Sequence, residues 1–458
     1  MFRQIRLESH INSKLDQITY EAMTEKNTKE HWGNSPQQLP RRDGVPLKTL
    51  VVTIMWASLA TFAFSVLSRE ALREYRKSRT EQRVETSSAL ETCAWATLEP
   101  HASLLDVSAI GRSEFLTRQQ TLAEALRDAD ADAFVAEPSA SSEYYANVSS
   151  SYSLSERPFL VIIDRAGAFS YLVPRFEAGR VARLDMVYGG EKTVIEWHEE
   201  ESPYEVFTRA TGYRRVVLDE HVRFMIAAGL GDAGLEVVPM PLAIQSLRAV
   251  KTDAEIVILK AINKFTLELV RSLQRCLQVG VTTQEAVVEA GQALFARAGA
   301  DPGGYWALAL FGELAAYPHG GGGAGRTLRD GEFVLIDIGS TLHGYGSDVT
   351  RTILPRGSNI SDELLGIWHT VRAAQSAGLE HMHAGETCAD VDAASRVPVQ
   401  EAGYAPFYTH RLGHGLGLEV HEHPYLNGAN KEVLKLGHVA TNEPVSRSPK
   451  SLTQCSYL

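Results

Sequence analysis

Two aspartates set in β-rich, largely apolar runs constrain this chain more than any other feature. From Phe333 to Leu354 the sequence reads FVLIDIGSTLHGYGSDVTRTIL, two such runs around a polar, glycine-containing centre, which predicts a β-hairpin. Pairing Asp337 with Asp348 puts the centre of the turn between Leu342 and His343 and sets the two carboxylates opposite each other on adjacent strands. Like charges repel at that distance, and an ionised group in an apolar strand is costly to bury unless a cation or donor compensates it. A shared metal ion is the simplest compensation; turn-capping aspartates are the plainer alternative.

A second segment, HRLGHGLGLEVHEHP from His410 to Pro424, carries four histidines, and Gly413, Gly415 and Gly417 allow close backbone approach. Neutral imidazole ligates divalent transition metals well, and Glu443, between Asn442 and Pro444, offers another carboxylate. A solvated polar loop is the alternative for the histidines as a group.

The 458 residues, 44% hydrophobic and 22% charged, suit two or three domains with substantial cores. With 45 basic and 56 acidic side chains the net charge is -11, so no basic field recruits nucleic acid, and none is expected as a partner. Cys93, Cys276, Cys388 and Cys455 are far apart and form no CxxC pair, so buried or free thiols are expected rather than a disulfide framework or a cysteine zinc site.

Residues 1–46 read as a disordered, solvated tail. Thr49 to Ser68 contains no charged residue and is long enough for a membrane helix, which would make the protein single-pass; a buried core helix is the alternative. Arg69, Arg73, Arg76 and Lys77 follow the run and lean its C-terminal side toward the cytoplasm. A charged connector over 69–100 leads into an α/β domain over 101–245. Its elements are a helix from Glu114 to Arg127 and strands at Ala133 to Ala136, Phe159 to Ile163, Phe169 to Val173, Arg214 to Asp219 and Leu235 to Val238. The region 246–458 reads as α+β. Thr252 and Glu255 form a capping box for a helix that buries Ile256, Leu259, Ile262, Leu269, Val270, Leu273 and Leu277. Thr282 and Glu285 form a second box for a helix ending at Gly299, and Ser361 starts a third that Gly385 closes. The glycines at 320–323 lack the Gly-Lys-Ser/Thr ending of a phosphate loop and read as a flexible connection.

Taken in order, LIDIGSTLHGYGSDVTRT, HRLGHGLGLEVHEHP and NEP, with YYANVSSSYSLSERPFLVII upstream, resemble the pita-bread metallopeptidases of the Xaa-Pro aminopeptidase, prolidase and creatinase branch. The resemblance implies an α+β fold: a creatinase-like N-terminal α/β domain followed by a pita-bread catalytic domain, here behind the candidate membrane anchor. It implies that Asp337 and Asp348 are metal ligands, with Asp348 bridging two divalent ions, and that His414 and Glu443 hold the other ion. His319, His410 and His421 match the substrate-side histidines, His421 being the first choice for contact with the tetrahedral intermediate and His319 for the substrate mouth. The implied activity is dinuclear-metal-dependent hydrolysis of Xaa-Pro bonds, as an aminopeptidase or dipeptidase. The substrate would be a peptide with proline at the second position, and a homodimer is admitted. The carboxylate-rich ligand set favours manganese, and the imidazole admits cobalt or zinc.

The family's second glutamate, beyond the one matched by Glu443, has no counterpart here: after Pro444 the chain reads VSRSPKSLTQCSYL. The catalytic domain is therefore expected to be C-terminally incomplete, with its fifth ligand missing. Val445 replaces the family's glycine, and Asn442 occupies a usually apolar position. Two alternatives accompany the peptidase reading: a catalytically inactive pita-bread module that binds peptides or proteins, and a creatinase-like amidine hydrolase.

Overall fold

Apolar runs covered on both sides build the centre of the first sheet. The sheet consists of β1 (Ala133–Ala136), β2 (Leu160–Asp164), β3 (Phe169–Pro174), β4 (Lys192–Trp197), β5 (Arg215–Leu218) and β6 (Glu236–Pro239), in the order β4-β3-β2-β1-β5-β6. This is a computed structural model, and it describes residues 77, 81, 83–154, 156–317, 319–320, 325–447 and 454–456. β2 pairs antiparallel with β1 and β3, and the remaining pairs are parallel. Phe134, Val161 and Ile163 enter one core, and Ala133, Val135, Leu160 and Ile162 enter the core on the opposite face. Burial on both faces is why these strands read as unbroken apolar runs rather than alternating ones. Asp164 closes the β2–β3 turn by accepting from the backbone N–H of Ala166 and of Ala168, each at 2.8 Å, and Gly167 takes φ 83°.

The helix Asp253–Cys276 opens the second half. Thr252 and Glu255 form the expected capping box: Thr252 Oγ1 accepts from the Glu255 N–H, and Glu255 accepts from the Thr252 N–H at 3.0 Å. Six of the seven expected core residues are buried; Ile256 is only partly so, and Ile258 and Phe265 join the core instead. The second box is corrected. The cap of helix Gln284–Ala298 is Thr283, whose hydroxyl accepts from the Ala286 N–H, while Thr282 accepts from the Gln278 N–H at 2.8 Å and closes the preceding turn. Counted from Thr283, the third helical residue is Ala286, which has no side-chain acceptor to complete a box.

Five strands follow: β7 (Trp306–Phe311), β8 (Val334–Gly339), β9 (Thr341–Leu342), β10 (Tyr345–Gly346) and β11 (Val349–Ile353). β11, β8 and β7 form a sheet, with β9 and β10 extending the hairpin. Val334, Ile336 and Ile338 of β8 point into a core shared with Ile262, Phe265 and Leu269, so the residues between them, Leu335 and Asp337, face the other way. Beyond helices Asp362–His381 and Cys388–Glu401 come the pair β12 (Gly413–Gly415) and β13 (Glu422–Leu426), and the pair β14 (Val445–Arg447) and β15 (Gln454–Ser456).

Three expectations change. The charged connector over 69–100 is helical over 83–98, with Leu90, Ala94 and Leu98 buried beside Leu273 and Cys276. Cys93 and Cys276 are joined in a disulfide, which corrects the expectation of free thiols for this pair; Cys388 is free and buried. The two partners lie 183 residues apart in sequence, so only the packing of the helix over 83–98 brings them together. The membrane placement is also corrected, because among the described residues no helix is long and apolar enough to cross a membrane. The run Thr49 to Ser68, on which the single-pass anchor and its cytoplasmic lean rested, lies outside the described residues, as do the tail over 1–46 and residues 321–324 of the glycine-rich connection.

Candidate active site

The hairpin forms, with a register different from the one expected. Asp337 stands opposite Thr350 rather than Asp348, and Leu342 stands opposite Tyr345. The turn residues are His343 and Gly344, at φ 52° and 82°. Positive φ at both central positions matches a two-residue turn to the twist of the strands it joins. Asp348 lies in the short break between β10 and β11, two residues before the partner of Asp337. Because side chains alternate, a displacement of two keeps both aspartates on one face. Thr350 Oγ1 donates to Asp337 Oδ1 at 2.6 Å, and the Asp348 N–H donates to Asn263 Oδ1 at 3.2 Å.

His414 is aimed by a bulge, since the β12–β13 register shifts between His414 and Gly415. The glycines beside it permit backbone to pass against backbone. A Cβ at Gly413 would lie 2.1 Å from the Thr441 carbonyl oxygen, and one at Gly415 would lie 2.2 Å from that of His423. The buried His414 ring places Nδ1 3.0 Å from the Gly415 carbonyl oxygen, and Nε2 2.8 Å from Glu443 Oε1 and 3.5 Å from Asp348 Oδ2. Thr441 ties β12 to the segment that carries Glu443: its hydroxyl accepts from the His414 N–H at 3.0 Å and donates to Glu443 Oε1 at 2.6 Å.

All seven residues singled out from the sequence, Asp337, Asp348, His414, Glu443, His421, His410 and His319, line one cavity of about 790 Å³. The His421 ring centroid lies 4.2 Å from that of His414, nearly edge-on. Ligand atoms of Asp348, His414 and His421 all fall within 4.8 Å of one another. His421 and His319 are exposed at the cavity, whereas His423 turns its ring onto Tyr425.

Burial is the largest cause that raises both aspartates. Asp337 is pushed up to about 6, with the Glu443 charge adding to burial and the Thr350 hydrogen bond opposing it. Asp348 is held well above the usual carboxylate range by burial and by the charges of Glu443 and Asp337. Burial also acts to raise Glu443, but the hydrogen bond from His414, its charge and Thr441 outweigh it and hold this carboxyl low. Burial lowers His410, and burial with the neighbouring His414 and Arg411 lowers His421, so both imidazoles favour the neutral form.

This donor set fits a divalent cation. His414 Nδ1 faces the Gly415 carbonyl oxygen, which can only accept, so Nε2 is the ring nitrogen left to act as a ligand, and it is aimed at two carboxylates whose charge a cation would neutralise. Three neighbouring carboxylates and one imidazole offer such a cation oxygen and nitrogen ligands. The sequence had not singled out Thr350, Asn263, Thr441 or Arg411. The alternation rule applied forward from Asp348 would have given Thr350, but nothing local marks Asn263, which arrives on a distant helix.

Residues 118–250 match the Creatinase/Prolidase N-terminal domain, and residues 258–453 match Metallopeptidase family M24. An uncharacterised peptidase of Schizosaccharomyces pombe is 41% identical over 348 residues, which covers 73% of this chain and 76% of that protein. The chain belongs to metallopeptidase family M24. This M24 peptidase, whose substrates are peptides, carries a creatinase N-terminal domain ahead of a pita-bread domain, a mixed α/β architecture. Among solved structures, the dipeptidase PepE of Mycobacterium ulcerans superposes with a TM-score of 0.69 at 25% identity, covering 76% of this chain and 93% of that one. The prolidase of Thermococcus sibiricus does so with a TM-score of 0.67 at 24% identity, covering 76% and 94%, and shares the fold.

Proposed function

We propose that this M24 peptidase hydrolyses the bond before proline in Xaa-Pro peptides, with Asp337, Asp348, His414 and Glu443 as ligands of two divalent ions and Asp348 between them. Manganese is the favoured metal. The observation that carries the reading is His414 Nε2 placed 2.8 Å from Glu443 and 3.5 Å from Asp348 within a buried carboxylate cluster. The structural likeness to a protein named prolidase supports the choice of substrate.

When bound, divalent ions would polarise the scissile carbonyl and lower the pKa of an attacking water. The chain's own residues set the geometry. Gly415 fixes the His414 tautomer, Thr350 orients Asp337, and Thr441 orients Glu443. Neutral His421 is the group that donates to the developing oxyanion, while His410 and His319 hold the substrate beside it. Asp348, His414 and Glu443 would offer one ion three ligands from the chain, whereas Asp337 and Asp348 would offer the other two, so the first ion would be held more tightly.

The test is metal-dependent turnover of an Xaa-Pro dipeptide by the full chain. Chelation should abolish hydrolysis and manganese should restore it, with Xaa-Ala dipeptides cleaved far more slowly. Hydrolysis that survives exhaustive chelation, or equal cleavage of Xaa-Ala, would overturn the reading.

A further inference from the structure

Glu422 follows His421 directly, and alternation along the chain sends the two side chains to opposite sides: His421 faces the cavity, whereas Glu422 turns inward and is buried. Behind the backbone the Glu422 carboxylate meets the Lys251 ammonium, and both side chains are almost wholly buried, at 3% and 1% exposure. Arg248 Nη1 stands 3.9 Å from the other carboxylate oxygen, Oε2. Lys251 lies between the two segments that match the N-terminal and peptidase families, and its N–H donates to the Gly437 carbonyl oxygen at 2.8 Å.

The chain closes around this carboxylate. The Glu419 N–H donates to Glu422 Oε2 at 3.4 Å, and a Cβ at Gly417 would lie 2.5 Å from Oε1, so the turn over 417–422 leaves no room for a side chain at Gly417. The Gly417 N–H donates to the Glu419 carbonyl oxygen at 3.0 Å, and the Gly417 carbonyl accepts at 2.8 Å from Gly346, in the hairpin that leads into Asp348. Glu419 is itself paired with Arg248 of helix Leu242–Ala249.

The His421 ring depends on this support. His410 and His414 each set a ring nitrogen against a backbone carbonyl, whereas among the described residues the His421 ring makes no hydrogen bond and stands edge-on to His414. Its direction therefore follows from where its backbone is held. A buried ion pair often adds no stability over apolar side chains of the same volume, but an ammonium and a carboxylate fix each other's place as methyl groups do not.

We propose that Lys251 is a positioning residue of the peptidase site: by holding the Glu422 carboxylate behind the chain it aims His421 at the reacting carbonyl. The inference rests on the role given to His421 in the proposed Xaa-Pro peptidase and assigns the group that places it. The junction between the two domains thereby reaches the rate of bond cleavage without touching the substrate.

Removing one charge alone would leave the other buried and unpaired and endanger the fold. The experiment therefore replaces both, Lys251→Met with Glu422→Met, in the full chain loaded with manganese. The double variant should keep its melting temperature and its metal content, and a crystal structure should show the His421 ring displaced from its place 4.2 Å from His414. With an Xaa-Pro dipeptide, kcat should fall about 10- to 100-fold at nearly constant KM, the scale of a misplaced group. In a His421→Ala background the same double replacement should cost little more, because the group that it misplaces is already gone. An unmoved His421 ring overturns the proposal, and so does an equal proportional loss of kcat with and without His421. Loss of metal by the double variant also overturns it, since the pair would then support the whole site. If the unaltered chain cleaves no Xaa-Pro dipeptide, the peptidase reading falls while the ring position still decides the role of Lys251, so the two fail separately.

Discussion

Thr350 stands directly across the hairpin from Asp337 and donates its hydroxyl hydrogen to one carboxylate oxygen at 2.6 Å. That bond leaves the other oxygen to face the cavity. Thr350→Val keeps the shape and removes the donor, so manganese affinity should fall about 10- to 100-fold, as for other supports of metal ligands. Thr350→Ser should retain it. Calorimetric titration of the metal-free protein reads both.

The position between two ions proposed for Asp348 predicts a more drastic loss. Asp348→Ala should leave the purified protein nearly free of metal at both positions while its far-ultraviolet circular dichroism is unchanged. Elemental analysis by mass spectrometry decides it, and retention of the wild-type metal content would remove Asp348 from the bridging role.

His421 offers a nitrogen within 4.8 Å of ligand atoms of Asp348 and His414, yet its proposed task is to contact the substrate. His421→Ala should therefore keep its metal and lose about 100-fold or more in kcat, the scale of a single oxyanion donor. A variant that loses metal in parallel with activity would show the imidazole to be a ligand instead.

Acid sensitivity of the fold should involve His438, which lies away from the cavity. Its Nδ1 accepts from the Lys435 N–H at 3.3 Å, its Nε2 is buried with no hydrogen-bond partner, and burial with the charges of Lys435 and Lys251 pushes its pKa down to about 4. In the unfolded chain the same imidazole takes a proton near ~6.5. The native state thus binds fewer protons between these values, and its contribution is fully present above about 6.5 and lost as the pH falls toward about 4. Melting temperatures of the metal-free protein over this window should decline less steeply for His438→Gln than for the unaltered chain. Parallel profiles would exclude the residue.

Asp337 and the histidines at 410, 414 and 421 were legible because each sits in a pattern with few physical readings, an acid in an apolar strand or histidines spaced by glycines, whereas His319 and the role of Glu443 came only through the family resemblance. The pairing of the hairpin was less legible. Its register depends on positive φ at His343, and histidine does not announce that conformation as asparagine does in an Asn-Gly turn. Adjacent threonines at 282 and 283 offer equivalent caps, and which one serves depends on the turn before them. The disulfide between Cys93 and Cys276 was invisible for a similar reason: its partners meet only through a helix that its charge content disguises as a connector. Arg411 carries no local signal at all, since a guanidinium in a cavity wall is recognised only by what surrounds it.

The crossing of Gly413 and Gly415 with the backbones of Thr441 and His423 has a bearing on how such a site can change over evolutionary time. Where side chains pack, a site can drift by small volume exchanges, each tolerated before the next. Here main chain meets main chain, and the smallest possible addition, one methyl group, already collides. Variation at these two positions is therefore all or nothing, and adaptation to new substrates is left to the residues that face the cavity through side chains rather than through such a crossing, Trp306, Arg411 and Val420.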